Sequence, residues 1–89
     1  METIWKFHLP IRDDFKIKLP AGARILSVGW QGEVDSLALW AAVDPENDEE
    51  TRQIAIRGTG HPLGEAAQGR FIGTALMGRL VWHVFEILP

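Results

Sequence analysis

The sequence contains no cysteine, no apolar run of membrane-spanning length and no excess of basic residues. Without cysteine the chain has neither disulfide bonds nor thiolate metal sites, so its stability must come from apolar packing or from association with other copies. The N-terminus also lacks the basic start and continuous apolar segment of a signal peptide. We therefore expect a cytoplasmic protein that makes no contact with a membrane.

The charge balance argues against a nucleic-acid ligand. Nine Lys and Arg residues against twelve Asp and Glu residues give a formal net charge of −3, and the basic residues are dispersed along the chain. Such a chain has no long-range attraction for a phosphate backbone. We expect no direct nucleic-acid binding, whereas a partner protein that itself binds nucleic acid is compatible with this charge.

Length and composition predict one folded domain. The chain has 89 residues, of which 46% are hydrophobic and 24% are charged, close to the globular average. A chain of this length is sufficient for a single core, although it buries a smaller fraction of its surface than a larger protein does. The prediction is a single β domain over residues 1–89.

The first half of the chain is patterned as strands. Apolar and polar residues alternate over 3–11 and again over 15–19, which predicts two half-buried strands that pair as a hairpin. Segment 24–30 carries apolar residues on both faces and is predicted to be an interior strand. Segment 37–43 is apolar on both sides too, and its length and flanking glycine and proline favour a strand over a helix.

The second half continues this pattern after an acidic turn at 44–50. We predict a strand over 52–57, a helical turn within 63–69, and a final hairpin of 71–77 with 80–88. The fold class is therefore all-β with one short helical turn, a small antiparallel sandwich or barrel of about six or seven strands.

The final strand is apolar on both faces, so each face needs a cover. The strand lies either at the centre of a sandwich with a helical cover or at a subunit interface, and the second arrangement makes a homo-oligomer our hypothesis. Trp30, Trp40 and Trp82 are the candidate interface residues, because tryptophan is a frequent hot-spot side chain. The competing interpretation places most of the tryptophans in the core.

The loop that follows the 52–57 strand is the strongest candidate for a ligand site. Gly58, Thr59 and Gly60 could present backbone N–H groups to a phosphate, with Arg57 and His61 supplying charge-assisted hydrogen bonds. The competing interpretation is a turn whose glycines adopt positive φ. The loop lacks the Gly-Lys-Thr ending of a P-loop and the helix of a dinucleotide fingerprint.

No other segment matches a catalytic or metal motif. The spacing of His8, His61 and His83 fits no zinc pattern, and the acidic turn has Glu49 and Ala55 where a calcium loop needs glycine and glutamate. No serine or threonine stands in a nucleophile motif. We expect a non-enzymatic protein without metal or cofactor.

Three motifs in order resemble a family of small phage and prophage proteins with no established activity. They are Thr-Ile-Trp-Lys-Phe at 3–7, Gly-Thr-Gly-His-Pro at 58–62 and Val-Trp-His-Val-Phe-Glu at 81–86, and the similarity covers nearly the whole chain. The resemblance implies an accessory protein of the infected cell, such as an oligomeric binding or inhibitory module that acts on a bacterial host protein, for example one of a defence system. The alternative is a virion or assembly component, and a third, weaker alternative is a small-molecule nucleotide or phosphate binder at Gly58–Gly64.

Overall fold

A computed structural model describes all 89 residues, Met1–Pro89. It contains seven β-strands and one 3-10 turn at Gly64–Gln68. The strands are β1 Thr3–Pro10, β2 Asp14–Pro20, β3 Arg24–Gly29, β4 Ser36–Val43, β5 Glu49–Gly58, β6 Arg70–Met77 and β7 Leu80–Ile87.

The strands form two antiparallel sheets. The three-stranded sheet has the order β1-β4-β3, and the four-stranded sheet has the order β2-β5-β7-β6. This confirms the predicted all-β antiparallel fold, including the β6–β7 hairpin and the helical turn before β6. No helix has the length and apolar content needed to cross a bilayer.

Two predicted strand placements are wrong. β1 and β2 do not form a hairpin, because Leu9 of β1 pairs with Leu37 of β4 whereas Leu19 of β2 pairs with Glu50 of β5. The chain changes sheet between them, since two strands with one apolar face each can cover those faces equally well across a sandwich. β3 is an edge strand and not an interior one, and its alternation is interrupted by a bulge between Ile25 and Ser27.

The core lies between the inner faces of the two sheets. Its eleven buried residues are Leu9, Leu19, Ala23, Leu37, Leu39, Ala41, Val43, Ile54, Ile56, Ala75 and Val84. Burial of each large aliphatic side chain contributes about 1.5–3 kcal/mol, so the central strands β4, β5 and β7 supply most of the stabilisation.

The outer face of β4 is covered within the chain. Ala38 and Ala42, which point to this face, are both buried. An ion pair of 2.9 Å joins Arg24 of β3 to Glu2, which precedes β1, and therefore spans β4. Glu33, in the β3–β4 loop, lies within ion-pair distance of two β1 side chains, at 3.8 Å from Lys6 and 3.3 Å from His8. The two apolar faces of β4 thus need no second subunit.

Candidate functional site

The outer face of the four-stranded sheet is half covered by the segment 59–69. Ala66 in the 3-10 turn is fully buried, and Ala55 of β5 is buried as well. Gly69 approaches β7 so closely that a Cβ atom there would lie 2.8 Å from the carbonyl oxygen of Glu86 and 3.1 Å from Cδ1 of Ile87. This segment is the helical cover that the apolar outer face of β7 required, but it extends over only part of the sheet.

The uncovered half carries exposed apolar side chains from β6 and β7. Phe71 is 56% exposed and Leu76 is 67% exposed. In the register of the hairpin Phe71 lies opposite Phe85 and Leu76 lies opposite Val81. The two phenyl rings meet edge to face, with centroids 5.4 Å apart and planes at 61°. We call these four residues, Phe71, Leu76, Val81 and Phe85, the β6–β7 patch.

A polar line crosses the middle of this patch. His83 Nε2 lies 2.9 Å from Thr59 Oγ1, and His83 Nδ1 lies 3.0 Å from Thr74 Oγ1. A neutral imidazole has one N–H donor and one acceptor nitrogen, so one threonine hydroxyl accepts from the ring and the other donates to it. The histidine therefore ties the glycine loop to the β6–β7 hairpin.

The glycine loop is a tight turn against the end of β5. The His61 N–H donates to the Gly58 carbonyl oxygen at 3.0 Å, and Gly60 between them has φ of 88°. The imidazole of His61 lies over Gly58, where a Cβ atom would be 2.9 Å from Nδ1. Glycine is required at position 60 because of the positive φ, and at position 58 because the His61 ring approaches too closely for a Cβ atom.

Two open cavities flank His61. One, of about 210 Å³, is lined by seven residues that include Thr59, Arg79 and Val81, and it adjoins the β6–β7 patch. The other, of about 310 Å³, also contains Arg57, but Asp13 and Asp14 form part of its wall. The aspartates make the second cavity unfavourable for an anion, so the first cavity is the better place for a phosphate.

Arg57 has its hydrogen-bond donors engaged elsewhere in the fold. The side chain is buried, and the guanidinium donates to the carbonyl oxygens of Leu63, Asp13 and Ile56 and to the carboxylate of Asp14. Such a set of bonds anchors the segment 59–69 and the β1–β2 connection to β5. Of the five residues predicted to bind phosphate, the structure brings Gly58, Thr59, Gly60 and His61 together, with the Arg57 guanidinium directed toward the aspartates.

The tryptophans predicted at an interface lie on separate surfaces. Trp30 is 39% exposed and donates from Nε1 to the Glu33 carbonyl at 2.8 Å. Trp40 is half-buried on the outer face of the three-stranded sheet, where it packs beside Gly29. Trp82 faces inward and packs against the core, and its buried Nε1 has no hydrogen-bond partner. Trp82 alone of the four packs against the core cluster, so the interpretation that most tryptophans belong to the core is wrong.

The sequence pattern predicted the position of β6 but not which of its side chains are exposed. The bulge between Phe71 and Gly73 changes which residues share a face, so Phe71 and Leu76 lie on the same face although their spacing in sequence is odd. Period-two alternation assigns such a pair to opposite faces. Only the observed register could reveal the patch.

One comparison with known proteins gives a match. The chain matches the family described as "Domain of unknown function (DUF7352)" over residues 1–88. No curated protein and no solved structure matches it.

Proposed function

The chain belongs to the DUF7352 family, whose function is unknown, and we propose that it is a binding module that self-associates through the β6–β7 patch. It acts by binding and not by catalysis. The observation that carries this proposal is the exposure of Phe71 and Leu76, at 56% and 67%, on the same face of the sheet, with the Thr74–His83 pair between them.

The patch has the character of an interface centre. Aromatic and aliphatic side chains surround a small polar group, the His83 imidazole with its two threonine partners. Interface centres of this kind are depleted in charge and enriched in aromatic residues. The outward residues of β6 and β7 here include no Asp, Glu, Lys or Arg from Phe71 to Leu76 or from Val81 to Phe85.

A second copy of the chain is the partner that fits this surface best. Two copies carry the same net charge of −3 and repel one another at long range, so contact is favoured where the surface is uncharged. The patch is such a surface, and a two-fold arrangement would place it against itself. Each patch would then cover the other's exposed Phe71 and Leu76.

Resemblance to small phage and prophage proteins supports a wider context for this module. Within it, the oligomer binds and inhibits a bacterial host protein in the host cytoplasm, with a defence system as the target class. The uncharged face that joins two copies is then also the face that a host protein would compete for.

The first experiment is sedimentation velocity of the parent chain and of Leu76→Glu across micromolar concentrations. We expect the parent to sediment as an oligomer and Leu76→Glu as a folded monomer, because the new carboxylate faces its own copy across the interface. Val34→Glu is the matched control, since Val34 is 87% exposed in the β3–β4 loop. A monomeric parent, or an oligomer that Leu76→Glu leaves intact, would reject self-association through the patch.

A second candidate function is a structural component of a virion or its assembly. It is favoured by the open edge of β1, where Ile4 and Trp5 are 61% and 41% exposed and a further strand could add to the sheet. Detection of the protein in purified particles, with loss of incorporation on Trp5→Lys, tests this role. Its absence from particles would leave the binding module as the better proposal.

A further inference from the structure

A cleft of about 560 Å³ separates the edge strands β3 and β6. Its lining includes Arg24, Ile25, Leu26, Arg52, Arg70 and Ile72, and it shares Phe71 with the β6–β7 patch. β3 and β6 belong to different sheets and do not pair, although Cγ2 of Val28 would lie 3.2 Å from a Cβ atom placed on Gly73. The strands therefore touch near Gly73 and leave an opening at their arginine-bearing ends, which we call the arginine cleft.

Both strands carry a bulge at this opening. The pairing shifts between Ile25 and Ser27 in β3 and between Phe71 and Gly73 in β6, so Leu26 and Ile72 are the extra residues. A bulge redirects its side chains and is frequent next to functional sites. Here the two bulges lie on opposite walls of one cleft and supply its apolar lining.

The polar end of the cleft is lined by guanidinium groups, two of which are paired with carboxylates that lie outside the lining. Its lining includes three arginines and no Asp or Glu. Arg24 is paired with Glu2 at 2.9 Å, and Arg52 is paired with Glu86 and Glu50. Arg70 forms no ion pair, so one guanidinium is left without a counter-charge beside an apolar wall.

We propose that the arginine cleft binds a small amphipathic anion, a compound with an apolar body and one carboxylate, sulfonate or phosphate group. Arg70, which forms no ion pair within the chain, supplies the guanidinium for the anionic group. Ile25, Leu26 and Ile72 contact the apolar body. The volume lies within the range of small-molecule sites, about 300–1,000 Å³.

The test uses anilinonaphthalene sulfonate, a fluorescent dye with an aromatic body and one anionic group. We expect it to bind the parent chain with one site per chain, and Arg70→Gln to weaken that binding by about tenfold or more, the loss that accompanies removal of one charge-assisted hydrogen bond. The uncharged dye N-phenylnaphthylamine, which has the same aromatic body, should bind at least about tenfold more weakly to the parent for the same reason.

Two controls separate this site from the β6–β7 patch. Arg79→Gln removes an arginine from the β6–β7 turn, and Leu76→Glu alters the patch, and neither should change the affinity for the sulfonate dye. Backbone amide shifts on titration should be centred on Ala23 and Ile72. Unchanged affinity in Arg70→Gln, equal binding of the uncharged dye, or shifts centred on Leu76 and Val81 would each overturn the proposal. Sedimentation of Leu76→Glu tests the β6–β7 patch, whereas dye binding by Arg70→Gln tests the arginine cleft. Either proposal can therefore fail while the other holds.

Discussion

Arg52 and Glu86, which are 34 residues apart in the sequence, form an ion pair on the inner side of the four-stranded sheet. The guanidinium donates from Nε to one carboxylate oxygen and from Nη2 to the other, at 3.1 Å for the second bond. A further bond of 2.9 Å from Nη1 to the Ala23 carbonyl joins the pair to the segment before β3. The hydrogen bonds that Arg52 donates to Glu86 raise the pKa of Arg52 above its ordinary value and outweigh the opposing effect of burial.

Removing Arg52 alone should destabilise the fold strongly. Glu86 is only 3% exposed, so Arg52→Met leaves a carboxylate buried without a partner, which costs about 3–5 kcal/mol of unfolding free energy. The double variant Arg52→Met with Glu86→Leu should recover most of that loss, because no buried charge is left. Urea unfolding near neutral pH measures both. A double variant as unstable as the single one would show that the pair contributes through geometry and not through charge.

The contribution that protonated Arg52 makes to the unfolding free energy should be constant from mildly acidic to mildly alkaline pH. A base whose pKa is raised in the folded state stabilises the fold at every pH below its unfolded pKa, and the stabilisation is lost as pH rises through the folded value. For Arg52 both pKa values lie far above neutrality, because the ordinary pKa of a guanidinium is already strongly alkaline. The difference in unfolding free energy between the parent and the double variant should therefore stay level from near-neutral to mildly alkaline pH. A steep change there would contradict this assignment.

Gly69→Ala should separate the 3-10 turn from β7. The added Cβ atom would lie 2.8 Å from a backbone oxygen, which cannot rotate away, so we expect a loss of about 1–3 kcal/mol. Gly29→Ala is the matched control, because its Cβ atom would meet the Trp40 ring at an ordinary 3.4 Å. Thermal unfolding of both variants gives the comparison. Equal losses would mean that the segment 59–69 can shift without cost.

The threonines around His83 should act as one unit. Thr59→Val and Thr74→Val each remove one hydrogen bond to the imidazole, at about 0.5–1.5 kcal/mol apiece, and a double-mutant cycle should show coupling because the ring is shared. Hydrogen exchange of the loop amides should accelerate in both variants, and more in Thr59→Val because Thr59 lies in the loop itself. Strictly additive losses would argue that the two bonds form independently.

Trp40 should matter for stability and not for association. It is half-buried on the face that the Glu2–Arg24 and Glu33 ion pairs also cover, so Trp40→Ala is expected to cost about 2–4 kcal/mol. Trp30→Ala removes a more exposed indole with one hydrogen bond, and about 1 kcal/mol is expected. Chemical unfolding gives these values, and sedimentation of the folded Trp40→Ala chain should match the parent. A change in oligomer size would show that Trp40 contributes to the subunit interface.

Local sequence patterns predicted the existence of nearly every element. The alternation around Trp5 and Phe7, the turn at Gly78 and the paired apolar faces of β6 and β7 all depend on neighbours within one strand or hairpin. The pairing of β1 with β4 and of β2 with β5 could not be predicted in this way. An apolar strand face indicates that it needs a cover, but the same face fits several partners equally well.

In the candidate site, too, some features could be predicted from the sequence and others could not. The glycine turn could be predicted because Gly60 needs positive φ and the neighbouring residues form a local turn. The contacts of the neighbouring Arg57 side chain could not be predicted, because it reaches Asp13 and Asp14, which are more than forty positions away in the sequence. The uncovered patch and the arginine cleft both arise at bulges in edge strands.

By itself the sequence determined a small all-β domain without cysteine, with strands, turns and one helical turn near their observed places. These properties follow from composition and from residues close together in the chain. The tertiary structure alone decided which strands share a sheet, which apolar faces are covered, and that Arg52 meets Glu86 while Arg70 has no partner. Those outcomes depend on how distant segments compete for the same surfaces, because burial and charge pairing are properties of the packed molecule and not of any single segment.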